Sequence, residues 1–363
     1  MIREIIINNF RNHKGTRIQF GRLTVIAGPN GSGKTNVFRA LRIFPEKASN
    51  SVPPDSLKVA NERDIILSGT DDKVPWTAYT NADQIGNWIE WTAGNSGRNI
   101  SPQSALWGFF SLKPQASRLS PSYSSEIPPV LEADGGNLAS VLAWLMTSQP
   151  ERFATIQNAL RAVVPQIKAI RATREKVGLV ERRTININGR EVAYDEQREV
   201  TGDALIFDTI GANDLSASAI SDGTLLTLAI LTAVNLVQGP RLLLVDDIET
   251  GLHPGAQQAL ITQLRAILDQ DPELQIVATT HSPYIIDQCA PEEVWLLAPD
   301  ADGYCQCKQL SDHPKAKEAL EILSTGEFWS AEGEDWVLDP PKKLKSAKQE
   351  QPEAVSPVVT DAH

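Results

Sequence analysis

The chain opens with three short runs that alternate or stay apolar with the period of strands. Residues 2–7 (Ile-Arg-Glu-Ile-Ile-Ile) and 16–20 (Thr-Arg-Ile-Gln-Phe) predict two strands, and Leu23-Thr24-Val25-Ile26-Ala27 reads as a buried parallel strand. A glycine-rich turn follows, then helical spacing through Val37, Leu41 and Phe44, which Pro45 is expected to close. From about Ala48 to Val130 the pattern changes. Ser, Pro, Asn and Trp dominate, with short apolar runs such as Asp64 to Leu67 and Leu106 to Leu112, so a β-rich insertion is expected. Asn137 is placed to cap a helix carrying Leu138, Val141, Leu142 and Leu145, and Phe153, Ile156, Leu160 and Val164 form the apolar face of a second. Alternation returns from Val177 to Phe207, where Asn188-Gly189 predicts a hairpin. An apolar helix (223–237), the strand Arg241 to Val245, a helix near 254–269 and the strand Gln275 to Thr279 complete the pattern. Strand, helix, strand in this order predicts a parallel sheet with right-handed crossovers.

Composition narrows the classes. The 363 residues are 41% hydrophobic and 22% charged, enough apolar content for a full core in roughly two domains or one elaborated one. With 34 basic and 45 acidic residues the net charge is -11, so any nucleic-acid contact must be local. Three cysteines, an odd number, fit a reducing compartment. The charged Met1-Ile2-Arg3-Glu4 start is not that of a signal peptide, and the longest greasy stretch, Leu225 to Val237, is short of the ~20 residues a bilayer needs. A cytoplasmic protein without membrane contact is expected.

Candidate chemistry begins at Gly28-Pro29-Asn30-Gly31-Ser32-Gly33-Lys34-Thr35, which fits G-x-x-x-x-G-K-[ST] between a strand and a helix. Glycines let successive backbone N–H groups converge on one anion, and the helix starting near Lys34 adds its positive dipole end. Lys34 would meet β- and γ-phosphates, and the Thr35 hydroxyl would ligate Mg²⁺. The run Leu242 to Asp247 ends a buried strand in two acids. Asp246 is placed for the Mg²⁺ shell and Asp247 to polarise an attacking water. His281 follows the strand Ile276 to Thr279 and precedes Ser282-Pro283, a position similar to that of the γ-phosphate sensor in one branch of P-loop proteins.

With these residues the chain resembles the ABC-type P-loop ATPases of the SMC, RecF and OLD group, compact prokaryotic "AAA family ATPases". The resemblance rests on an ordered set: Asn9-Phe10-Arg11, Pro29 to Thr35, Gly136-Asn137-Leu138-Ala139, Ser221-Asp222-Gly223-Thr224, Asp246 to Pro254, Thr280-His281-Ser282-Pro283 and Gly326-Glu327-Phe328-Trp329. It implies an α/β fold, an ABC ATPase head with a mixed, largely parallel central sheet, a β-rich insertion and a helical lobe. It implies ATP and Mg²⁺ as cofactors, with Arg11, Asn30, Gly31, Ser32, Gly33, Lys34, Thr35 and Asn36 on the nucleotide. It also implies that Ser221 and Gly223 bind the γ-phosphate held by a second copy, giving a head-to-tail homodimer or higher oligomer around ATP. Where the group has Glu and Pro, this chain has Asp247 and Ile248, a carboxylate roughly 1.5 Å shorter. Slow hydrolysis is therefore expected, with Glu249 as a residue that could share the role. No Q-loop glutamine stands out; Gln115 is a weak match.

The expected organisation is 1–47 with the phosphate loop, 48–135 as insertion, 136–210 as helical lobe and hairpin, 211–338 as the second part of the core, and 339–363 as a disordered tail. Seven basic residues and two acids lie between Arg161 and Arg183, including Arg171, Arg174, Lys176, Arg182 and Arg183; they could grip DNA or an acidic partner, or simply face solvent. Trp88 and Trp91 read as core, and Cys305-Gln306-Cys307 as strand packing. The chain ends soon after its last expected strand, so no fused TOPRIM-type nuclease is expected, and no heptad run predicts an SMC arm. The function expected from the resemblance is an ATPase that dimerises on ATP and regulates a separately encoded effector, such as a nuclease, in prokaryotic anti-phage defence. A RecF-like repair ATPase binding DNA directly, or a non-hydrolysing ATP-dependent scaffold, are the alternatives.

Overall fold

The computed structural model describes residues 1–47, 64–71, 74–81, 90–93, 109–187, 190–236 and 242–338. The tail expected from 339 onward, the Asn188-Gly189 turn, and Trp88 lie outside the described residues.

The chain runs β1 (Ile2–Ile7), β2 (Thr16–Gln19), β3 (Leu23–Ala27) and α1 (Lys34–Lys47), then β4 (Asp64–Asp71), β5 (Val74–Asn81), β6 (Glu90–Ala93) and β7 (Phe109–Leu112). Helices α2 (Leu138–Ser148) and α3 (Pro150–Val163) precede β8 (Ile167–Ile187), β9 (Arg190–Thr209) and β10 (Ala212–Ser216). After α4 (Asp222–Val234) come β11 (Leu242–Val245), α5 (Pro254–Gln270), β12 (Gln275–Thr280) and α6 (Pro283–Ile286). The described chain closes with β13 (Val294–Pro299), β14 (Cys305–Gln309), α7 (Ala316–Ala319) and α8 (Thr325–Glu332). Helix α1 continues through Pro45 rather than stopping there. A missing N–H costs one backbone hydrogen bond, and the last turn of a helix tolerates that loss.

The central sheet has the order β14-β13-β3-β12-β11-β7, parallel except for the edge strand β14. Its inner strands are apolar on both faces because both are covered. Val25, Leu243, Ile276 and Leu296 point into one core with the buried sides of α2 to α5. Ile26, Leu244, Val277 and Leu297 point into the other, against Val37, Phe38 and Leu41 of α1. A second, antiparallel sheet, β2-β1-β4-β5-β6, closes that side with Ile5, Ile7, Ile18, Ile65 and Leu67.

The stretch expected as one insertion is divided between two sheets. Strands β4 to β6 extend the N-terminal antiparallel sheet, Trp91 pairing with Ala78, whereas β7 lies parallel to β11 at the edge of the central sheet. Sequence patterning cannot see this, because the partners of β7 lie more than 120 residues away. The hairpin is longer than expected: β8 and β9 pair from Ile167↔Thr209 to Ile187↔Arg190. Asn137 does occupy the position before α2, but its side chain makes no cap. Its Oδ1 accepts from Glu132 N and its Nδ2 donates to the Val130 carbonyl, so it pins the preceding loop.

Candidate nucleotide site

The loop between β3 and α1 has the shape its glycines allow. Gly28, Gly31 and Gly33 adopt φ of 143°, 80° and 109°, a region that side chains disfavour. At Gly28 a Cβ would stand 2.2 Å from the Leu297 carbonyl oxygen of β13, so only glycine admits that neighbouring strand. Lys34 begins α1 and folds its ammonium back onto the carbonyls of Gly28 (2.8 Å) and Pro29 (3.0 Å). Burial lowers its pKa, while Asp247, Asp246 and Glu249 act in the opposite sense.

A tight turn braces this loop from outside. Phe10 and His13 exchange backbone hydrogen bonds of 3.0 and 2.9 Å, which holds Arg11 at φ 55°. Asn12 accepts from Asn36 Nδ2 at 2.8 Å, and His13, fully buried, donates from Nε2 to the Gly33 carbonyl at 3.1 Å. A carbonyl can only accept, so His13 carries its proton on Nε2, and Nδ1 accepts from the Thr16 hydroxyl at 2.9 Å. Burial holds the His13 pKa below its usual value. Asn12 and His13 follow the Asn9-Phe10-Arg11 motif directly, yet nothing in their spacing to Gly33 announced the clamp.

The acids sit where β11 ends. The Asp246 side chain, 8% exposed, accepts from Thr279 Oγ1 at 2.7 Å and stands 3.3–3.4 Å from the Thr35 hydroxyl. Lys113 Nζ, just beyond β7, lies 3.5 Å from Asp246 Oδ2. Asp247 takes φ 49°, a conformation Asp tolerates better than most residues, and its half-exposed carboxylate lies 3.9 Å from His281 Nε2. Glu249 is occupied differently from the shared catalytic role expected of it. Its carboxylate accepts from Thr280 Oγ1 and from the His281 N–H, both at 2.7 Å, and so holds the loop that carries His281.

A cavity of about 520 Å³ joins these parts, lined by Arg11, Asn12, Asn30, Gly31, Gly33, Lys34, Thr35, Asn36, Asp247, His281 and Gly303. Ser32 is absent from the lining: it is fully buried and its N–H turns to the Pro29 carbonyl at 3.2 Å. Ser221 and Gly223 are absent too. Ser221 caps α4, its side chain accepting from the Thr224 N–H. A Cβ on Gly223 would fall 2.1 Å from the Gly251 carbonyl oxygen, so the residue is glycine to let the loop after Asp247 pack against α4 of the same chain. Asp246 is not among the lining residues either; it stands 3.3–3.4 Å from the hydroxyl of Thr35, which is. One hydroxyl and one carboxylate are hard oxygen donors, a set that fits Mg²⁺ completed by phosphate oxygens and water.

With this geometry in place, the comparisons with known proteins decide the family. Residues 92–287 match the family described as "AAA domain, putative AbiEii toxin, Type IV TA system". The chain belongs to that family. Residues 1–74 match a second ATPase family, "AAA ATPase domain". This AAA-domain chain is 38% identical to Septu protein PtuA of Bacillus thuringiensis over 69 residues, 19% of the chain and 17% of that protein. It is 26% identical over 184 residues to "Retron Ec83 probable ATPase" of Escherichia coli, 49% of this chain and 30% of that one. It is also 35% identical over 57 residues to the DNA replication and repair protein RecF of Ruminiclostridium cellulolyticum, 15% of each. The chain therefore spans less than a third of the length of each of these relatives. Among solved structures, an SMC head bound to the C-winged helix domain of ScpA superposes with TM-score 0.56 at 13% identity, over 88% of this chain and 99% of that one. An SMC head with an extended coiled coil, bound to the C-terminal domain of ScpA derived from Pyrococcus furiosus, gives 0.50 at 10%, with the same coverage. The fold is that of an SMC/RecF/OLD-type P-loop ATPase.

Outside the site, four of the seven basic residues near the hairpin pair with acids of β9 and β10. Arg171 pairs with Asp208 and Asp214, Arg174 with Asp203, Lys176 with Glu199 and Arg183 with Glu196. The acids lie roughly 15–40 positions later, beyond the window in which the run looked basic. Cys305 is buried against the N-terminal core and Cys307 packs at its edge, as strand packing requires. No helix among the described residues is long and apolar enough to cross a membrane.

Proposed function

We propose that the chain binds ATP with Mg²⁺ in the Lys34 cavity, hydrolyses it slowly, and closes on it as a head-to-tail pair. The observation that carries the reading is an incomplete site: Lys34, Thr35, Asp247 and His281 share one cavity, while Ser221, which caps α4, is not among the residues lining it. A second copy would bring its Ser221 to the open side, where a helix N-terminus favours the γ-phosphate. Residues 1–47 and 211–338 would form the nucleotide-handling core, with 136–210 as the lobe and arm that convey its state.

In the step itself, water attacks the γ-phosphorus, its proton passes to the Asp247 carboxylate, and ADP leaves with the displaced oxygen. Bound Mg²⁺, held by Thr35 and by Asp246 directly or through water, would neutralise the β- and γ-phosphates. His281 would hold the γ-phosphate side of the cavity, kept in place by Glu249. The backbone around Asn30, Gly31 and Gly33, with Arg11 and Asn36 at the rim, would bind the remaining phosphates.

The names of the relatives, Septu and retron components, support a setting in anti-phage defence with a separately encoded effector, a nuclease being the favoured kind. Ion pairing within the hairpin favours control of a protein over direct DNA clamping. The test is mass measurement of purified chain with ATP and Mg²⁺, using Asp247→Asn to hold the nucleotide. A doubled mass that Lys34→Ala abolishes supports the pair. A mass unmoved by nucleotide overturns it, and phosphate release equal in native chain and Asp247→Asn overturns hydrolysis.

A further inference from the structure

Lys113 stands beside the acid that the nucleotide reading assigns to Mg²⁺, and its role rests on that reading. Strands β7 and β11 are parallel neighbours with Leu112 opposite Val245, so the next residue on each, Lys113 and Asp246, emerge side by side at the same end of the sheet. The two side chains have opposite characters. Asp246 is nearly enclosed, with 8% of its side chain exposed, whereas the Lys113 side chain is 74% exposed. Asp246 Oδ1 takes the strong 2.7 Å hydrogen bond from Thr279. Oδ2 is the oxygen that lies 3.5 Å from Lys113 Nζ and 3.3 Å from the Thr35 hydroxyl. Lys34, another cation near these acids, spends its ammonium on the Gly28 and Pro29 carbonyls.

We propose that Lys113 is a placeholder cation, neutralising Asp246 until a divalent metal arrives with nucleotide and then giving way to it. A carboxylate this enclosed is costly to leave without a counter-charge. A lysine and a dication cannot share one carboxylate oxygen without strong repulsion. A solvated ammonium on a four-carbon stem can leave at little desolvation cost. Lys113 thereby sets how much divalent metal the site requires. The same residue anchors the next connection, since its N–H donates to the Ala133 carbonyl at 2.8 Å and Gln115 N donates to Asp134 at 3.0 Å. Its release therefore occurs at the root of the loop that leads to α2. Lys113 acts as a positioning residue rather than a catalytic one.

The experiment titrates Mg²⁺ into the full chain with a non-hydrolysable ATP analogue and follows analogue binding by calorimetry, for native chain, Lys113→Met and Lys113→Arg. Removing the competing charge should lower the Mg²⁺ concentration for half-saturation by about tenfold in Lys113→Met and leave Lys113→Arg close to native. An unchanged midpoint overturns the proposal, and a higher one makes Lys113 a phosphate ligand instead. Mn²⁺ alone, followed by its paramagnetic resonance, separates this from failure of the nucleotide reading. If the native chain binds no analogue at any metal concentration, that reading fails. Tighter Mn²⁺ binding by Lys113→Met still upholds the placeholder, and equal binding overturns it.

Discussion

Thr279 donates its hydroxyl hydrogen to Asp246 Oδ1 at 2.7 Å, and the same hydroxyl oxygen accepts the backbone N–H of Asp247 at 2.8 Å. One fully buried side chain thus orients both acids at the end of β11, the first through its carboxylate and the second through its backbone. The two strands are adjacent and in register, Val245 opposite Ala278, so the threonine is delivered to this place by sheet pairing.

Thr279→Val keeps the shape and removes both bonds. It leaves the Asp247 N–H without its acceptor and Asp246 without its donor, an expected stability loss of about 1–3 kcal/mol. Because partners behind a metal ligand tune its affinity, ATP turnover and Mg²⁺-dependent binding should fall roughly 10–100-fold. Thr279→Ser should retain most of both. Denaturant unfolding and metal titration on the three proteins check the prediction.

Gly223 tests whether the start of α4 is fixed within one chain. Any Cβ there meets the Gly251 carbonyl oxygen at 2.1 Å, and backbone cannot step aside cheaply. Gly223→Ala should therefore destabilise the protein by about 1–3 kcal/mol even without nucleotide. Ser221→Ala should cost only about 1 kcal/mol as a lost cap. In the proposed pair, however, it should weaken ATP-dependent association while leaving nucleotide affinity of the single chain intact. Thermal melts and mass measurement on both variants distinguish the two roles.

How much of this was legible beforehand depends on the distance over which each residue acts. That Lys34, Thr35 and Asp246 would come near one another was readable, because the phosphate loop and the acid-tipped strand are local patterns with a direct physical meaning. Gly223 was readable as a special position, and the fold adds a reason of its own, since its contact, Gly251, is a neighbour only in the fold. Asn12, His13, Thr279 and Lys113 carried no signal of their own. Each reaches the site across a strand pair or a turn that only the assembled sheets create. The charge of the hairpin was ambiguous for the same reason: Arg174 faces Asp203 directly across the ladder, 29 positions on, so its partner lies outside the run that looks basic. Glu249 lay beside the expected base in sequence, but the turn after β11 carries it onto Thr280 and His281.

The acid Asp247 has a backbone reason as well as a chemical one. At φ 49° Asp is tolerated where a longer or branched side chain is less so. Asp247→Asn should fold with native stability, bind ATP normally and release phosphate at least about 100-fold more slowly. Single-turnover assays beside equilibrium binding check this. A variant that loses binding as well as turnover would assign Asp247 to nucleotide affinity instead.

The His13 clamp predicts a pH dependence with a definite sign. Burial holds the His13 pKa in the folded chain below the ordinary 6.5 of an unfolded histidine. Between the two values the unfolded chain binds more protons than the folded one, so stability rises with pH through that window and is fully present above it. Acidification below about pH 6.5 should therefore loosen the clamp on Gly33, with a slope of up to about 1.4 kcal/mol per pH unit from this one group. His313, held against Phe328 and Trp336 and likewise lowered by burial, adds its own slope to global stability. His13 holds the phosphate loop through Gly33, and comparison with His13→Gln separates it from His281, which lines the same cavity in both proteins. Native chain should lose ATP affinity as the pH drops from 7 to 5, in excess of the loss due to ATP protonation seen with His13→Gln. Parallel curves for native chain and His13→Gln would remove His13 from the control of that loop.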